Sequence, residues 1–224
     1  MTVGASRDPY LEAMGIQEYV QRKCPSAPDG GADGSSEGTG LNADWDALQR
    51  DVSTCTRCSL HETRTQTVFG IGNPEADWLF IGEAPGEQED LRGEPFVGRA
   101  GQLLDEMIRA LGLEREKVFI ANVLKCRPPK NRDPSSEEVV ACEPFLLQQV
   151  RMVGPKIIVA VGRIAAQNLL KTQVPIGKLR GEVHYYEGIP VVVTYHPAYL
   201  LRSQTEKRRA WEDLKLARRT LSLS

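Results

Sequence analysis

The chain has 224 residues, 41% of them hydrophobic, enough to bury one substantial core and of a length that suits one to two domains. No apolar run approaches the roughly 18 residues of a membrane span and the N-terminus has no signal-like apolar core, so a soluble, cytoplasmic monomer is expected. The net charge of −2 conceals an asymmetry: residues 1–54 carry 4 basic and 9 acidic side chains against 24 and 21 in residues 55–224, and a mildly basic body does not by itself imply nucleic acid.

In chain order, Pro9 to Lys23 has an apolar stripe of Leu11, Met14 and Val20 at helical spacing with nothing nearby to bury it. "PDGGADGSSEGTG", Pro28 to Gly40, is too polar to form a core and reads as a flexible linker. Residues 1–42 are therefore expected to be a short helix plus linker, free to dock on the body or on a protein partner, and residues 43–224 to form the folded domain. From Asn42 a helix carries Trp45, Leu48 and Val52 on one face and leads into Cys55-x2-Cys58. Near-continuous apolar runs at Trp78–Gly82, Val118–Val123, Ile157–Val161 and Val191–Tyr195 predict strands of a sheet buried on both faces. Between them "GRAGQLLDEMIRALG", "SSEEVVACEPFLLQQV" with its capping box of Ser135 and Glu138, and "GRIAAQNLLK" predict helices. An amphipathic basic helix over about 204–221 ends the chain. The rhythm argues an α/β fold, a three-layer α/β/α domain with a mainly parallel four-stranded central sheet.

Ligands of such sheets sit beyond the carboxyl ends of the strands, which directs attention to "GEAPGEQED", Asn122 with "VLKCRPP", Gly162–Arg163 and "HPAYLLR". The first of these is unusual. A glycine turn leaving a strand commonly offers N–H groups to an anion, yet this one holds Glu83, Glu87, Glu89 and Asp90, which would repel a phosphate. The chain also has neither a GxxxxGK[ST] loop nor a GxGxxG fingerprint, which argues against a nucleotide-binding domain.

Four of the five cysteines form a pattern, Cys55, Cys58, Cys126 and Cys142, with Cys24 apart from it in the tail. Together they can supply an all-thiolate, four-ligand site for zinc or an iron–sulfur cluster. The irregular spacing is unlike a zinc ribbon or finger, which favours a four-iron cluster with a structural job. The alternative is two buried thiols and a coincidental CxxC.

"GEAPGEQED", "GEPFVGRAGQLLD", "ANVLKCRPPKNR" and "HPAYLLR", with the four cysteines, resemble the family 4 uracil-DNA glycosylases, the iron–sulfur type, from about Asp44 to Thr220. The resemblance implies a monofunctional hydrolase that starts base excision repair by cutting the N-glycosidic bond of deoxyuridine in single- or double-stranded DNA, with a [4Fe–4S] cluster on Cys55, Cys58, Cys126 and Cys142. Such an enzyme extrudes the nucleotide, reads the base edge and stabilises a sugar that becomes cationic.

An acidic turn suits that task. At the strand end Glu83 can orient or deprotonate water and favour the positive sugar, while backbone N–H groups around Gly82, Ala84 and Gly86 remain available to the uracil carbonyls. Phe96 resembles the residue on which flipped uracil stacks, Asn122 the amide that distinguishes uracil from cytosine, and His196 the donor to uracil O2. Glu89 resembles the position beside the C5 edge that excludes thymine. Leu200 and Leu201 are wedge candidates, or else core residues of the last helices, and Arg202 a phosphate contact. His61 and His184 have no such setting and read as structural. A relative of the family links covalently to DNA through a histidine in a basic insertion, and no histidine lies between Cys126 and Cys142. The competing functional reading is a non-catalytic uracil- or DNA-sensing module that keeps the cysteine site.

Overall fold

The computed structural model describes residues 39–223; the expected Leu11/Met14/Val20 helix, the linker to residue 38 and Cys24 lie outside the described residues. Helix α1, Thr39–Ser53, begins slightly ahead of the expected Asn42, and a 3-10 turn at Ser59–Glu62 follows the first cysteine pair. The remaining elements are β1 (Ile71–Gly72), β2 (Trp78–Gly82), α2 (Glu87–Arg92), α3 (Arg99–Ala110), β3 (Phe119–Asn122) and α4 (Ser136–Val153). After them come β4 (Ile157–Val161), α5 (Arg163–Leu169), α6 (Ile176–Leu179), β5 (Val183–Tyr186), β6 (Ile189–Thr194), α7 (Pro197–Arg202) and α8 (Lys207–Leu221). No helix among the described residues is long and apolar enough to cross a membrane.

The sheet has six strands in the order β1-β3-β2-β4-β6-β5. The four strands legible from apolar runs form its parallel centre, and short antiparallel edges, β1 on β3 and β5 on β6, extend the expected four. Alternation along each central strand feeds two cores. Leu79, Ile81, Ile158 and Ala160 pack with Leu48 and Val52 of α1 and Phe145 and Leu146 of α4, whereas Trp78, Phe80, Ile157 and Val159 pack with Leu104 and Ile108 of α3 and Leu214 of α8. Helices thus cover both faces, as three layers require.

Helix α4 starts where its capping box dictates: Ser135 Oγ accepts the Glu138 N–H at 3.3 Å, and the Glu138 carboxylate accepts the Ser135 N–H at 2.8 Å. Strand β2 lies at the middle of the sheet, and the chain leaves it first toward β3 and later toward β4. That reversal opens a crevice at the carboxyl end of β2, where Glu83 begins its turn.

Candidate active site

A cavity of about 490 Å3 occupies this crevice, a size that takes a small ligand. Glu83, Ala84 and Gly86 line it from the turn after β2, Glu89 and Phe96 from the segment leading to α3, Asn122 from the end of β3, and His196, Ala198 and Arg202 from β6 into α7. Asn131, Arg132 and Asp133 complete the lining. Residues spread over more than a hundred positions of sequence share one cavity because each follows, or is packed against, the end of a parallel strand.

Asn122 is 2% exposed, and its Oδ1 is buried with no hydrogen-bond partner. An orphaned buried acceptor costs about 1–3 kcal/mol, and its presence in a binding cavity marks a partner that arrives from outside. Gly82, opposite it, makes the arrangement possible. A Cβ at this position would lie 2.4 Å from Asn122 Oδ1 and 2.6 Å from Phe96 Cζ. Phe96 itself is held at φ 55, an unfavourable conformation for an aromatic residue, and its ring lies 5.7 Å from the His196 ring at a 30° tilt.

His196 caps α7, and its Nδ1 accepts the Ala198 N–H at 3.2 Å. Burial, reinforced by the nearby Arg202 charge and only partly opposed by Glu89, lowers its pKa to about 4. The ring is therefore neutral at pH 7, and with Nδ1 used as acceptor its proton sits on Nε2, the tautomer of a hydrogen-bond donor. Glu83 is tuned oppositely. Burial pushes its carboxyl up to about 7, the Asp133 charge adds to that, and Arg163 works against it. Arg163 in turn donates to Asp133 Oδ2 at 2.7 Å. The outcome is an acid poised near neutrality and an imidazole that stays neutral, both lining one cavity.

The four acids of the turn have separate uses. Glu87 is exposed, 3.9 Å from Arg127. Asp90 is buried and accepts the Thr65 N–H at 2.9 Å. Glu89 clamps the site: Oε2 accepts the Gly86 N–H at 3.1 Å, which takes up a donor expected to serve a uracil carbonyl, and Oε1 accepts those of Val97 and Gly98 at 3.0 and 3.1 Å. The structure therefore adds to the expected C5-edge position a fixing of the Phe96 segment to the glutamate turn. Of the two readings open for Leu200, burial favours the core one over the wedge: it is 1% exposed and packs with Leu104 and Leu214, the apolar face of α7 being needed there. Leu201 is half-buried and Arg202 exposed at the rim. His61 and His184 contact the carbonyls of Cys58 and Leu179, a structural use.

Sequence reasoning passes over Asp133 and takes Arg163 only as part of a strand-end pair. It also leaves Arg132 within a basic stretch. Arg132 forks onto the buried Glu138 at 2.5 and 2.8 Å, so the capping box of α4 also anchors the cavity wall.

Cys55, Cys58, Cys126 and Cys142 line a second, smaller cavity with Arg57, Arg64, Lys125 and Phe145. N–H groups point at their sulfurs: Arg64 Nη1 to Cys126 Sγ at 3.1 Å, Lys125 N to Cys142 Sγ at 3.3 Å and Arg57 N to Cys55 Sγ at 3.5 Å. Burial raises the thiol pKa values of Cys126 and Cys142, the latter to about 11, while Arg64 and Lys125 pull them down. Among the described residues no three His, Cys, Asp or Glu side chains are grouped as the ligands of one metal ion. The donor set itself, four thiols round one cavity with N–H donors and cations beside them, is chemically suited to a thiolate-held group.

A polar crevice that pairs a tuned carboxylate with a neutral imidazole, an aromatic floor and an unsatisfied amide defines a class of enzyme that handles a flat heterocycle. The model of the uracil DNA glycosylase superfamily matches residues 69–215. The type-4 uracil-DNA glycosylase of Archaeoglobus fulgidus is 48% identical over 178 residues, covering 76% of this chain and 89% of that protein. That of Thermotoga maritima is 46% identical, covering 75% and 89%. A type-5 uracil-DNA glycosylase of Pyrobaculum aerophilum is 37% identical over 189 residues, 70% of this chain and 83% of that protein. The chain belongs to the uracil DNA glycosylase superfamily and, within it, to the type-4 uracil-DNA glycosylases.

Proposed function

We propose that the protein hydrolyses the N-glycosidic bond of deoxyuridine in DNA, releasing uracil and leaving an abasic site for repair, with residues 43–224 as the catalytic domain of a cytoplasmic monomer. The observation that carries this reading is the unpaired Oδ1 of Asn122 in a cavity walled by Phe96. Uracil presents an N3–H donor beside an O4 acceptor, which an amide satisfies with its oxygen and nitrogen; cytosine reverses the pattern and leaves the amide oxygen against a lone pair. Phe96 stacks the base, a contact worth about 1–3 kcal/mol.

In the chemical step the glycosidic bond breaks with its electron pair on the base. His196 donates from Nε2 to uracil O2, stabilising the anion without giving up its proton, since an imidazole neutral at pH 7 is a donor and not a strong acid. Glu83, ionised, sits where the sugar becomes positive and orients the water that adds to it. Leu201 fills the vacated stack and Arg202 holds a phosphate.

We further propose that the four cysteines carry a [4Fe–4S] cluster, with zinc as the alternative group. Bound there, the group would cross-link the end of α1, the loop after β3 and α4. Support comes from the all-thiol donor set and the N–H groups aimed at sulfur. Residues 1–42 are proposed to dock a protein partner.

The test is base release from uracil-containing oligonucleotides, single-stranded and paired, scored as alkali-labile cleavage with thymine and cytosine controls. Cleavage at uracil alone is expected. Tight binding of uracil DNA without cleavage by fully loaded protein would instead identify a sensing module.

A further inference from the structure

Lys125 is 1% exposed, a fully buried ammonium that the reaction above does not use. Its surroundings are specific. The backbone N–H donates to Cys142 Sγ at 3.3 Å, the residue lines the cysteine cavity, and Nζ donates to the backbone carbonyl of Asn122 at 2.8 Å. Burying a lysine costs several kcal/mol unless its charge and donors are matched, so a solvent-facing position would be the default for a residue in the basic run Lys125 to Arg132. Carbonyl 122 also lies at the last position of β3, where the parallel ladder to β2 ends at the Gly82–Asn122 pair. The same peptide is held at its other end by the Val123 N–H, which donates to the Gly82 carbonyl at 2.9 Å, and Nζ holds the carbonyl end.

We propose that Lys125 is a positioning residue for uracil recognition: it ties the carbonyl of Asn122 to the wall of the cysteine cavity and so holds the Asn122 amide at the angle that reads the base. The inference rests on the uracil-reading role given to Asn122 above. It makes the integrity of the cysteine site a determinant of base selectivity as well as of stability. Loosening the strut leaves an amide free to rotate, and an amide rotated end for end presents cytosine's complement.

The experiment compares wild-type, Lys125→Met, Asn122→Ala and the double variant as metal-loaded proteins. Each is titrated with oligonucleotides carrying one non-cleavable 2′-fluoro-deoxyuridine or 2′-fluoro-deoxycytidine, read by fluorescence anisotropy, with visible absorption and metal content recorded alongside. Lys125→Met is expected to keep the metal and to lower the uracil-over-cytosine affinity ratio about tenfold, and to change nothing further in the Asn122→Ala background. An unchanged ratio, or an effect equally large without the Asn122 amide, overturns the proposal. If Lys125→Met loses the metal, Lys125→Gln, which keeps a neutral N–H donor, takes its place under the same criteria. Failure of wild-type protein to prefer uracil DNA would instead remove the functional reading on which the inference stands.

Discussion

Glu83 and His196 show how two titratable groups of one cavity are pushed in opposite directions by burial, because desolvation penalises whichever form is charged. For Glu83 the consequence is a rate that depends on pH near neutrality. With an ordinary carboxyl pKa of 4.5 raised to about 7, kcat/KM should climb with pH through a single limb centred near 7, and His196, neutral above about 4, should add no second limb above pH 5. Glu83→Gln should flatten that limb and lower the rate about 100-fold or more while retaining uracil-DNA binding, as measured by single-turnover kinetics. The stability sign is the reverse. A carboxyl whose folded pKa lies above its unfolded one favours folding least when ionised, so Glu83→Gln should melt higher than wild type at pH 8 and match it below pH 4.5. The identity of Glu83 as the odd acid of the turn is legible in sequence from its place directly after a strand. The uses of Glu89 and Asp90 are not, because they depend on which backbone N–H groups fold back from Thr65, Val97 and Gly98, and no local pattern encodes that.

At the scale of elements, the central strands declare themselves because burial on both faces demands unbroken apolar runs. The edges do not, since β1 has only two residues and β5 reads Val-His-Tyr-Tyr with one face in water. Pro144 inside α4 is tolerated within an otherwise intact capped helix, which is why the capping box predicts its start better than the proline predicts an end. The segment between β2 and α3 is held by two devices. Glu89 gathers three N–H groups, and Gly101 on α3 lets the Phe96 carbonyl come close, since a Cβ there would fall 1.7 Å from that oxygen. Glu89→Gln retains one acceptor oxygen and cannot serve both sides of the clamp. It should weaken binding of uracil DNA about tenfold, about 1.4 kcal/mol, and lower the melting temperature by a few degrees, since the N–H facing the new NH2 loses its acceptor; equal affinity by anisotropy would show that the clamp is dispensable to Phe96.

Across the whole molecule a group held by the four cysteines would connect what the sheet leaves separate. Cys55 and Cys58 follow α1, Cys126 follows β3, and Cys142 lies on α4, so a group held by all four closes long stretches of chain on each other. By the loop-entropy argument made for disulfides, closing a loop of this order contributes about 4 kcal/mol, which for a domain of this size corresponds to a melting shift of about 10 °C. Stripping the metal by chelation under reducing conditions should lower the melting temperature by that amount, and elemental analysis of the protein before stripping should return about four irons per chain. The basic loop from Arg127 to Arg132 hangs between Cys126 and the start of α4, with Lys130 and Asn131 both at positive φ. It gives Asn131 and Arg132, and leads to Asp133, in the lining of the cavity that Glu83 shares. Stripping should therefore also move the midpoint of the Glu83 limb, because Asp133 no longer stands at a fixed distance from it. A stripped protein that melts within about 2 °C of the loaded form and keeps the same pH midpoint would mean that the loop is held by the Arg132–Glu138 fork alone, and that the thiols bear on neither the fold nor the acid.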